Sequence, residues 1–248
     1  MPDSLRSMTR TGRVASAAKW VRSSRIPPVT GHKFFLLFLF LLADLVFYPY
    51  AGETTGPGYY LLRSLGIAVT LVTVYAVSFR RGLIFVALLL AVPAMVEHSV
   101  FFRSEIGTLS VFGIVLSFIF DVFVIVVIFR RVFAREKPTA ETIFGAVCIY
   151  LMVGFTFARL YAIIATVRPH AFYLDPATNS HSLPVGFDFI FFSFGTMTSL
   201  GAAGIVAVSP QVRSVSVMES ILGVLYLAVM ISRLMGAYRH GYPGSEDS

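Results

Sequence analysis

The residues of this chain best suited to chemistry lie close together between Phe187 and Gly236. Hydroxyl residues follow an aromatic run there and lead into small or apolar residues: Thr196, Thr198 and Ser199, then Leu200-Gly201-Ala202-Ala203-Gly204. Because most of these side chains carry no polar group, the backbone carbonyls are the main polar atoms of the segment. Carbonyl oxygens of this kind can replace the hydration shell of a cation.

Composition places this segment in a membrane. The 248 residues are 56% hydrophobic and 13% charged, with a mean hydropathy of +0.79, whereas soluble domains carry about 25% charged residues. A soluble globular protein is therefore excluded. The one cysteine, Cys148, excludes a disulfide scaffold and a cysteine-based metal site. In so apolar a chain, the net charge of +7 indicates orientation in a membrane and no nucleic-acid partner.

Apolar runs predict the number of membrane spans, since a crossing needs about 20 mostly apolar residues. Six runs qualify: Lys33–Tyr50, Tyr59–Phe79, Gly82–Phe102, Ile106–Phe129, Thr142–Ala165 and Val215 to about Gly236. A further run, Phe187–Thr198, is too short to cross and predicts a re-entrant helix. The expected fold is an all-α integral membrane protein with six transmembrane helices, a re-entrant pore helix and a filter loop.

The basic residues predict the orientation. Most of the 20 Lys and Arg residues lie before the first run, after the second and fourth runs, or near the C-terminal end. The positive-inside rule then places both termini in the cytoplasm of a multi-pass protein of the cell (inner) membrane. The predicted regions are a basic cytoplasmic tail (1–32), a four-helix N-terminal membrane domain (33–137), a pore domain (138–237) and a short cytoplasmic tail (238–248). The first tail is either unstructured or a helix on the membrane surface near Trp20.

The short run predicts a pore loop. Asp188 can cap its helix and satisfy backbone N–H groups that lipid cannot bind. Non-helical backbone at membrane depth persists only where it is buried in protein or lines a water-filled cavity. A span, a half-span, a segment of nearly bare backbone and a second span therefore indicate a loop that lines a pore.

The same stretch resembles the pore domain of the prokaryotic six-transmembrane potassium channel superfamily, of the two-transmembrane, pore-loop type. The resemblance extends without a gap over about Phe187–Gly236 and is carried by Phe192-Ser193-Phe194, Thr196-Met197-Thr198-Ser199, Leu200-Gly201, Ser209-Pro210, Arg213 and the run from Leu225 to Leu234. It implies a homotetrameric ion channel. It also implies an ion pathway along Thr198, Ser199, Leu200, Gly201, Ala202, Ala203 and Gly204, with pore-helix support from Asp188, Phe192, Phe194, Thr196 and Glu219.

The chain departs from the family at the selectivity filter. Where the family has T-V-G-Y-G-D, this chain has S-L-G-A-A-G. A left-handed conformation at Ala203 would cost about 1–2 kcal/mol, Ala202 lacks the bracing aromatic ring, and Gly204 lacks the acidic anchor. We expect carbonyl rings at Ser199, Leu200 and Gly201 to persist and the upper rings to be loosened or lost. The expected function is a weakly selective or non-selective channel for monovalent cations. The alternative is a non-conducting membrane scaffold or sensor that retains the channel fold.

The ionisable residues within the spans are candidates for voltage sensing, ion pairing and support of the filter. The fourth span contains no arginine before Arg130, so the N-terminal domain is not expected to be a classical voltage sensor. Arg159 is expected to extend to the interface, with an ion pair to Asp44 as the alternative. Glu219 is a candidate to hydrogen-bond the back of the filter.

Gly223 and the pair Glu97-His98 each have a structural and a functional interpretation. Gly223 is either a gating hinge or a close-packing site. Glu97 and His98 lack a second ligand at helical spacing, so no metal site or cofactor is expected. No nucleophile, base and metal ligand converge at one depth, so no enzyme activity is expected. The expected partners are membrane lipid and further copies of the chain.

Overall fold

The structure, a computed structural model, describes residues 32–51, 57–79, 81–100, 108–134 and 139–239. The predicted basic tail apart from His32, including Trp20, and the residues after Arg239 lie outside these ranges. The side chains of Glu97 and His98 lie outside the description as well. The described helices belong to one compact unit.

Seven α-helices and two short strands make up the described part of the chain. The helices are α1 (Lys33–Phe47), α2 (Pro57–Val77), α3 (Arg81–Val100), α4 (Thr108–Phe133), α5 (Ala140–Val167), α6 (Gly186–Met197) and α7 (Pro210–Arg239). A 3-10 turn, Tyr48–Ala51, follows α1, and the strands are β1 (Phe172–Leu174) and β2 (Ile205–Ala207). The strands pair antiparallel, with Tyr173 opposite Val206. The fold is helical as expected, and this small sheet on either side of α6 is an addition to it.

Among the helices that the structure describes, five are long and apolar enough to cross a membrane. Their qualifying segments are Lys33–Tyr50, Tyr60–Val77, Val111–Phe133, Ala140–Val167 and Pro210–Arg233. The third of the six expected spans corresponds to α3, which is 20 residues long and contains Pro93. The apolar part of α3 that the structure describes, Gly82–Met95, is shorter than a span. The expected half-span corresponds to α6, an apolar helix of 12 residues.

The beginnings of α1 and α5 are joined directly. The backbone N–H of Phe34 donates to Glu141 Oε2 at 3.2 Å, which satisfies one of the N–H groups that the first turn of a helix leaves unpaired. The Cys148 thiol donates to the Phe34 carbonyl at 3.3 Å. The rings of Phe35 and Phe144 meet edge to face, with centroids 4.9 Å apart. The first of the described helices therefore packs on the long helix that precedes α6 and the candidate pore loop.

Helix ends rich in basic residues lie at the same end of the bundle. A guanidinium or ammonium group of one helix end contacts the end of another in the pairs Lys33–Ser78, Arg131–Phe79 and Arg233–Phe133. The beginning of α1 and the ends of α2, α4 and α7 are thus neighbours. At this end, Arg131 stacks over the Phe79 ring at 3.8 Å, which offsets part of the cost of burying its charge.

The apolar side chains form two clusters along the bundle. The first joins α1 to α5 and includes Leu37, Ala91, Val124 and Ile149. The second surrounds α6 and includes Tyr161, Phe172, Phe192 and Val212. Since α5 contributes to both clusters, it connects the N-terminal helices to the segment that contains the candidate site.

Arg159 forms an ion pair within the bundle. Its guanidinium binds the carboxylate of Asp121 on α4, which is almost fully buried. Arg159 also interacts electrostatically with Asp44 on α1. The sequence favoured an Arg159 side chain that reaches the interface, with Asp44 as the alternative partner. That preference is wrong for this chain, because a carboxylate on the neighbouring helix is within reach and pairing is favoured over solitary charges in hydrocarbon.

Replacing Arg159 with Met should destabilise the protein by about 3–5 kcal/mol, because it removes the cation that compensates a buried carboxylate. Adding Asp121→Asn to that variant should restore part of the loss, since a neutral amide costs less to bury. The free energy of unfolding in detergent measures both effects. Arg168→Met, at the exposed end of the same helix, is the matched control and should change stability by less than about 0.5 kcal/mol. Equal losses for the two arginines would contradict the assignment.

Candidate functional site

The beginning of α6 is capped from within the chain. Asp188 accepts a hydrogen bond from the Val185 backbone N–H at 2.9 Å, and its own N–H donates to the Val185 carbonyl at 2.7 Å. The same carboxylate lies 2.8 Å from His181 Nε2. The first turn of α6 thus has an acidic group where the helix dipole favours negative charge. The N-cap residue is Val185, so Asp188 caps the helix from inside its first turn and not from the position before it.

Aromatic rings hold α6 against α5 and β1. Phe192 is buried and packs edge to face on Tyr161 at 5.0 Å and on Phe172 at 5.2 Å between ring centroids. Phe194 packs on Phe155 in the same manner at 5.6 Å. These contacts match the quadrupoles of the rings and add to the apolar burial. The position and tilt of α6 are therefore set by side chains on its two flanking elements.

The end of α6 turns sharply through a left-handed residue. Thr198 ends the helix, and Ser199 has a φ of +59°. The Ser199 N–H donates to the Thr196 carbonyl at 3.0 Å, as in the common helix ending with a left-handed residue. The Gly201 N–H donates to the Gly195 carbonyl at 2.9 Å. Carbonyls that the helix end leaves free are thus satisfied by the segment 198–204, called here the 198–204 loop.

Left-handed residues alternate along the first half of this loop. Within the described residues, positive φ values occur at His170, Ser199, Gly201 (+82°) and Gly204 (+81°). Ser199 and Gly201 are two residues apart, with Leu200 between them outside the left-handed region. The Gly201 carbonyl oxygen lies against Gly195 of α6. The alternation stops before Ala203, so the second half of the loop lacks it.

Ala203 avoids the strain that the sequence implied. The Ile205 N–H donates to the Ala202 carbonyl at 3.2 Å, which closes a turn with Gly204 at its third position. A positive φ at that position is characteristic of a type II turn and favours glycine. The left-handed residue is therefore Gly204 and not Ala203, so the expected backbone cost at Ala203 does not arise.

The outer end of the loop is anchored by a neighbouring segment. The Gly204 carbonyl accepts hydrogen bonds from the Asp175 N–H at 2.9 Å and from Asn179 Nδ2 at 3.0 Å. A Cβ at Gly204 would lie only 3.0 Å from that amide nitrogen and would also press on Thr178. One backbone donor and one side-chain donor thus hold Gly204, the position at which the sequence suggested that an acidic anchor had been lost.

Glu219 connects three helices around a fully buried carboxyl group. Tyr161 of α5 donates to Glu219 Oε2 at 2.6 Å, and Ser193 Oγ of α6 lies 2.5 Å from Oε1. Ser193 Oγ also lies 2.8 Å from the Gly154 carbonyl. A hydroxyl has one hydrogen, so all these contacts are satisfied together when Glu219 is protonated and donates to Ser193. The sequence suggested that Glu219 would hydrogen-bond the back of the filter loop. The carboxyl instead bonds to Ser193 of the short helix α6.

Two glycines allow α6 and the loop to pack closely. A Cβ at Gly195 would lie 2.6 Å from the Gly201 carbonyl oxygen, and one at Gly223 would lie 2.6 Å from Met197 Cγ. Gly223 is thus in close contact with the end of α6, while its possible hinge role stays a prediction. Sequence reasoning missed Gly195. The available signal was a glycine inside a helix, where its propensity cost points to a packing reason.

The loop presents an uncovered surface. Ser199, Leu200, Gly201 and Ala203 are exposed in the single chain, and Leu200 has 85% of its side chain accessible. Ser199 Oγ lies 3.3 Å from Ser220 Oγ on α7, which links the start of the loop to that helix. Within the described residues no group of His, Cys, Asp or Glu could hold a metal ion. The polar groups that the loop offers to a ligand are therefore backbone carbonyls and two hydroxyls.

Glu219→Ala should destabilise the protein by about 1–3 kcal/mol for each buried polar group left without a good partner. Tyr161 would keep only its longer contact with Ser216, at 3.3 Å. Glu219→Gln should cost much less, because its amide can donate to Ser193 and its carbonyl can accept from Tyr161. Thermal unfolding of the purified protein measures both. Equal damage from the two substitutions would contradict the proposed network.

Ala203→Gly should destabilise the protein by about 0.4–1 kcal/mol, because it adds freedom to the unfolded chain and relieves no strain in the folded one. Gly204→Ala should cost more, since it places a side chain in the left-handed region against Thr178 and Asn179. Denaturant unfolding of the two variants compares them directly. Stabilisation by Ala203→Gly would instead mean that Ala203 is the strained residue.

No family model, curated protein or solved structure matches the chain. The functional interpretation therefore depends on the residues themselves. They form a capped short helix between two long apolar helices, a loop with left-handed residues at Ser199 and Gly201, and a buried carboxyl that joins the three helices.

Proposed function

We propose that the chain is one subunit of a potassium-channel-like cation channel with an atypical filter. The observation that carries this proposal is the 198–204 loop, whose left-handed residues alternate at Ser199 and Gly201 directly after the half-span helix α6. Such a loop supplies carbonyl oxygens in series. Two long apolar helices, α5 and α7, flank it, as a pore in a membrane requires.

The two halves of the loop support weak selectivity. The lower half, at Ser199, Leu200 and Gly201, has left-handed residues at its first and third positions, which supports the expected carbonyl sites there. The upper half is replaced by the turn that ends at Ile205. Fewer rigid carbonyl sites give less discrimination between potassium and sodium, whichever account of selectivity holds. The expected permeant species are monovalent cations with little preference among them.

The exposed surface of α7 supports assembly into a homotetramer. Only 11% of its spanning segment is buried, compared with 50% for α5. One loop cannot enclose an axis, whereas four copies around an axis would place four loops in one ring and cover part of α7. Symmetric closure of this kind is the common arrangement of oligomers made from one chain.

The basic helix ends support the orientation. Lys33, Arg131 and Arg233 lie at one end of the bundle, opposite the segment that contains β1 and β2. The positive-inside rule places that end in the cytoplasm of a cell (inner) membrane protein. The loop anchor at Asp175 and Asn179 would then face the outside.

A second candidate function is a non-conducting scaffold or sensor that keeps the channel fold. The interruption of the carbonyl pattern at Ala203 favours it, because an incomplete path removes cation sites. The exposed Leu200 side chain also favours it if four copies meet at the axis, since an apolar constriction can exclude water and ions.

Ion flux from liposomes tests the proposal. Vesicles containing the purified protein and loaded with potassium or sodium should release both ions. Two variants are compared with the native protein: Ser199→Thr, Leu200→Val, Ala202→Tyr and Ala203→Gly together, with or without Gly204→Asp. Flux in a restored variant should shift toward potassium. The variant that keeps Gly204 is expected to fold better, because Asp at 204 would press on Thr178 and Asn179.

Three results would overturn parts of the proposal. A native reversal potential near the potassium equilibrium value would contradict weak selectivity. No flux from a correctly assembled native tetramer would favour the scaffold. Crosslinking that stops at the dimer would contradict the tetramer.

A further inference from the structure

An apolar cavity lies between α4, α5 and α7, beneath the end of α6. Its volume is about 260 Å³, and its walls include Phe129, Phe133, Tyr150, Met197, Tyr226 and Val229. All of these side chains belong to the four helices that surround the 198–204 loop or precede it. The cavity is partly open in the single chain.

The walls are almost entirely apolar. The rings of Phe129 and Phe133 stack with centroids 4.1 Å apart. The rings of Tyr150 and Tyr226 lie 6.0 Å apart, and the Tyr226 hydroxyl donates to the Ala146 carbonyl at 2.7 Å. That hydroxyl is therefore occupied by backbone. Cavities lined by apolar groups stay dry and accept apolar molecules.

One end of the cavity has cationic groups beside it. The Arg233 guanidinium lies 4.6 Å from the centroid of the Phe133 ring and donates to the Phe133 carbonyl at 3.1 Å. Arg130 is exposed and adjoins Phe129 in the sequence. An apolar space with the Arg233 guanidinium at one end is complementary to a molecule with a hydrocarbon chain and an anionic head.

We propose that this cavity binds an acyl chain of an anionic phospholipid, with the phosphate group near Arg233 and Arg130. The walls belong to helices long and apolar enough to lie in a membrane, where acyl chains are the prevailing apolar molecules. The basic end of the bundle supplies the charge that selects an anionic head over a zwitterionic one. This site goes beyond the proposed conduction, since binding does not require an open pore.

The bound chain would contact the base of the candidate filter. Met197 lines the cavity and is the last residue of α6, directly before the 198–204 loop. Gly223, another lining residue, packs on the Met197 backbone and side chain. An acyl chain that fills the cavity therefore supports the same contact that holds α6 to α7.

Native mass spectrometry of the purified protein tests the site, using phosphatidylglycerol and phosphatidylcholine as probes. The native protein should retain phosphatidylglycerol more strongly. Val229→Trp fills the cavity and should abolish that retention. Val224→Trp is the matched control, because it makes the same change on α7 at a similarly exposed residue outside the cavity walls and should leave retention unchanged. Arg130→Gln combined with Arg233→Gln should reduce the preference for the anionic lipid by about five-fold or more.

The outcomes separate the possible occupants. Equal retention in the two tryptophan variants would overturn the site. Equal retention of the two lipids by the native protein would overturn the anionic preference. If Val229→Trp breaks the assembly without changing lipid retention, the cavity is an interface between copies and the lipid proposal fails. None of these readouts depends on ion flux, so a silent channel leaves the test intact.

Discussion

The backbone between Met197 and Ile205 is not helical, and at membrane depth each of its polar groups must find a partner in the protein or in a water-filled cavity. The protein supplies such partners at both ends of this segment. Carbonyls at the end of α6 accept from Ser199 and Gly201, and the Gly204 carbonyl accepts from the segment after β1. The close approach that makes these bonds possible requires Gly195. The rest of the candidate site is arranged to keep this loop in place.

The buried carboxyl group of Glu219 holds α6 in place through a second set of hydrogen bonds. A carboxyl with no solvent exposure is costly unless its hydrogen bonds are satisfied, and here it is bonded to both α5 and α6. The 198–204 loop and the helix α6 are thus held by two separate sets of hydrogen bonds, one at Gly204 and one at Glu219, and aromatic side chains pack between them. This division explains why Ala202, which offers no ring to brace the loop, is compatible with an ordered ending of α6.

The sequence predicted much of the framework and less of the site. Apolar run length identified five helices long enough to span a membrane and the short helix α6, while the described apolar part of α3, the third expected span, is shorter than a crossing. Asp188 was expected to cap α6, and its carboxylate does so from inside the first turn, with Val185 as the N-cap residue. The Arg159–Asp121 pair, the two strands and the anchor at Asn179 could not be predicted, since each joins residues far apart in the chain. The spacing of the family motif predicted a left-handed residue at Ala203, and that prediction is wrong, because the left-handed residue is Gly204. The turn that makes the difference cannot be recognised in one sequence.

The short connection between α4 and α5 has a mechanical consequence. Six residues, 134–139, connect α4 to α5, and these helices pack against each other within the chain. A displacement of the N-terminal helices would therefore be passed first to the α5 of the same chain. From there it would reach α6 through the aromatic contacts of Tyr161 and Phe155, so that the helix before the loop would respond to a force received at the far side of the bundle.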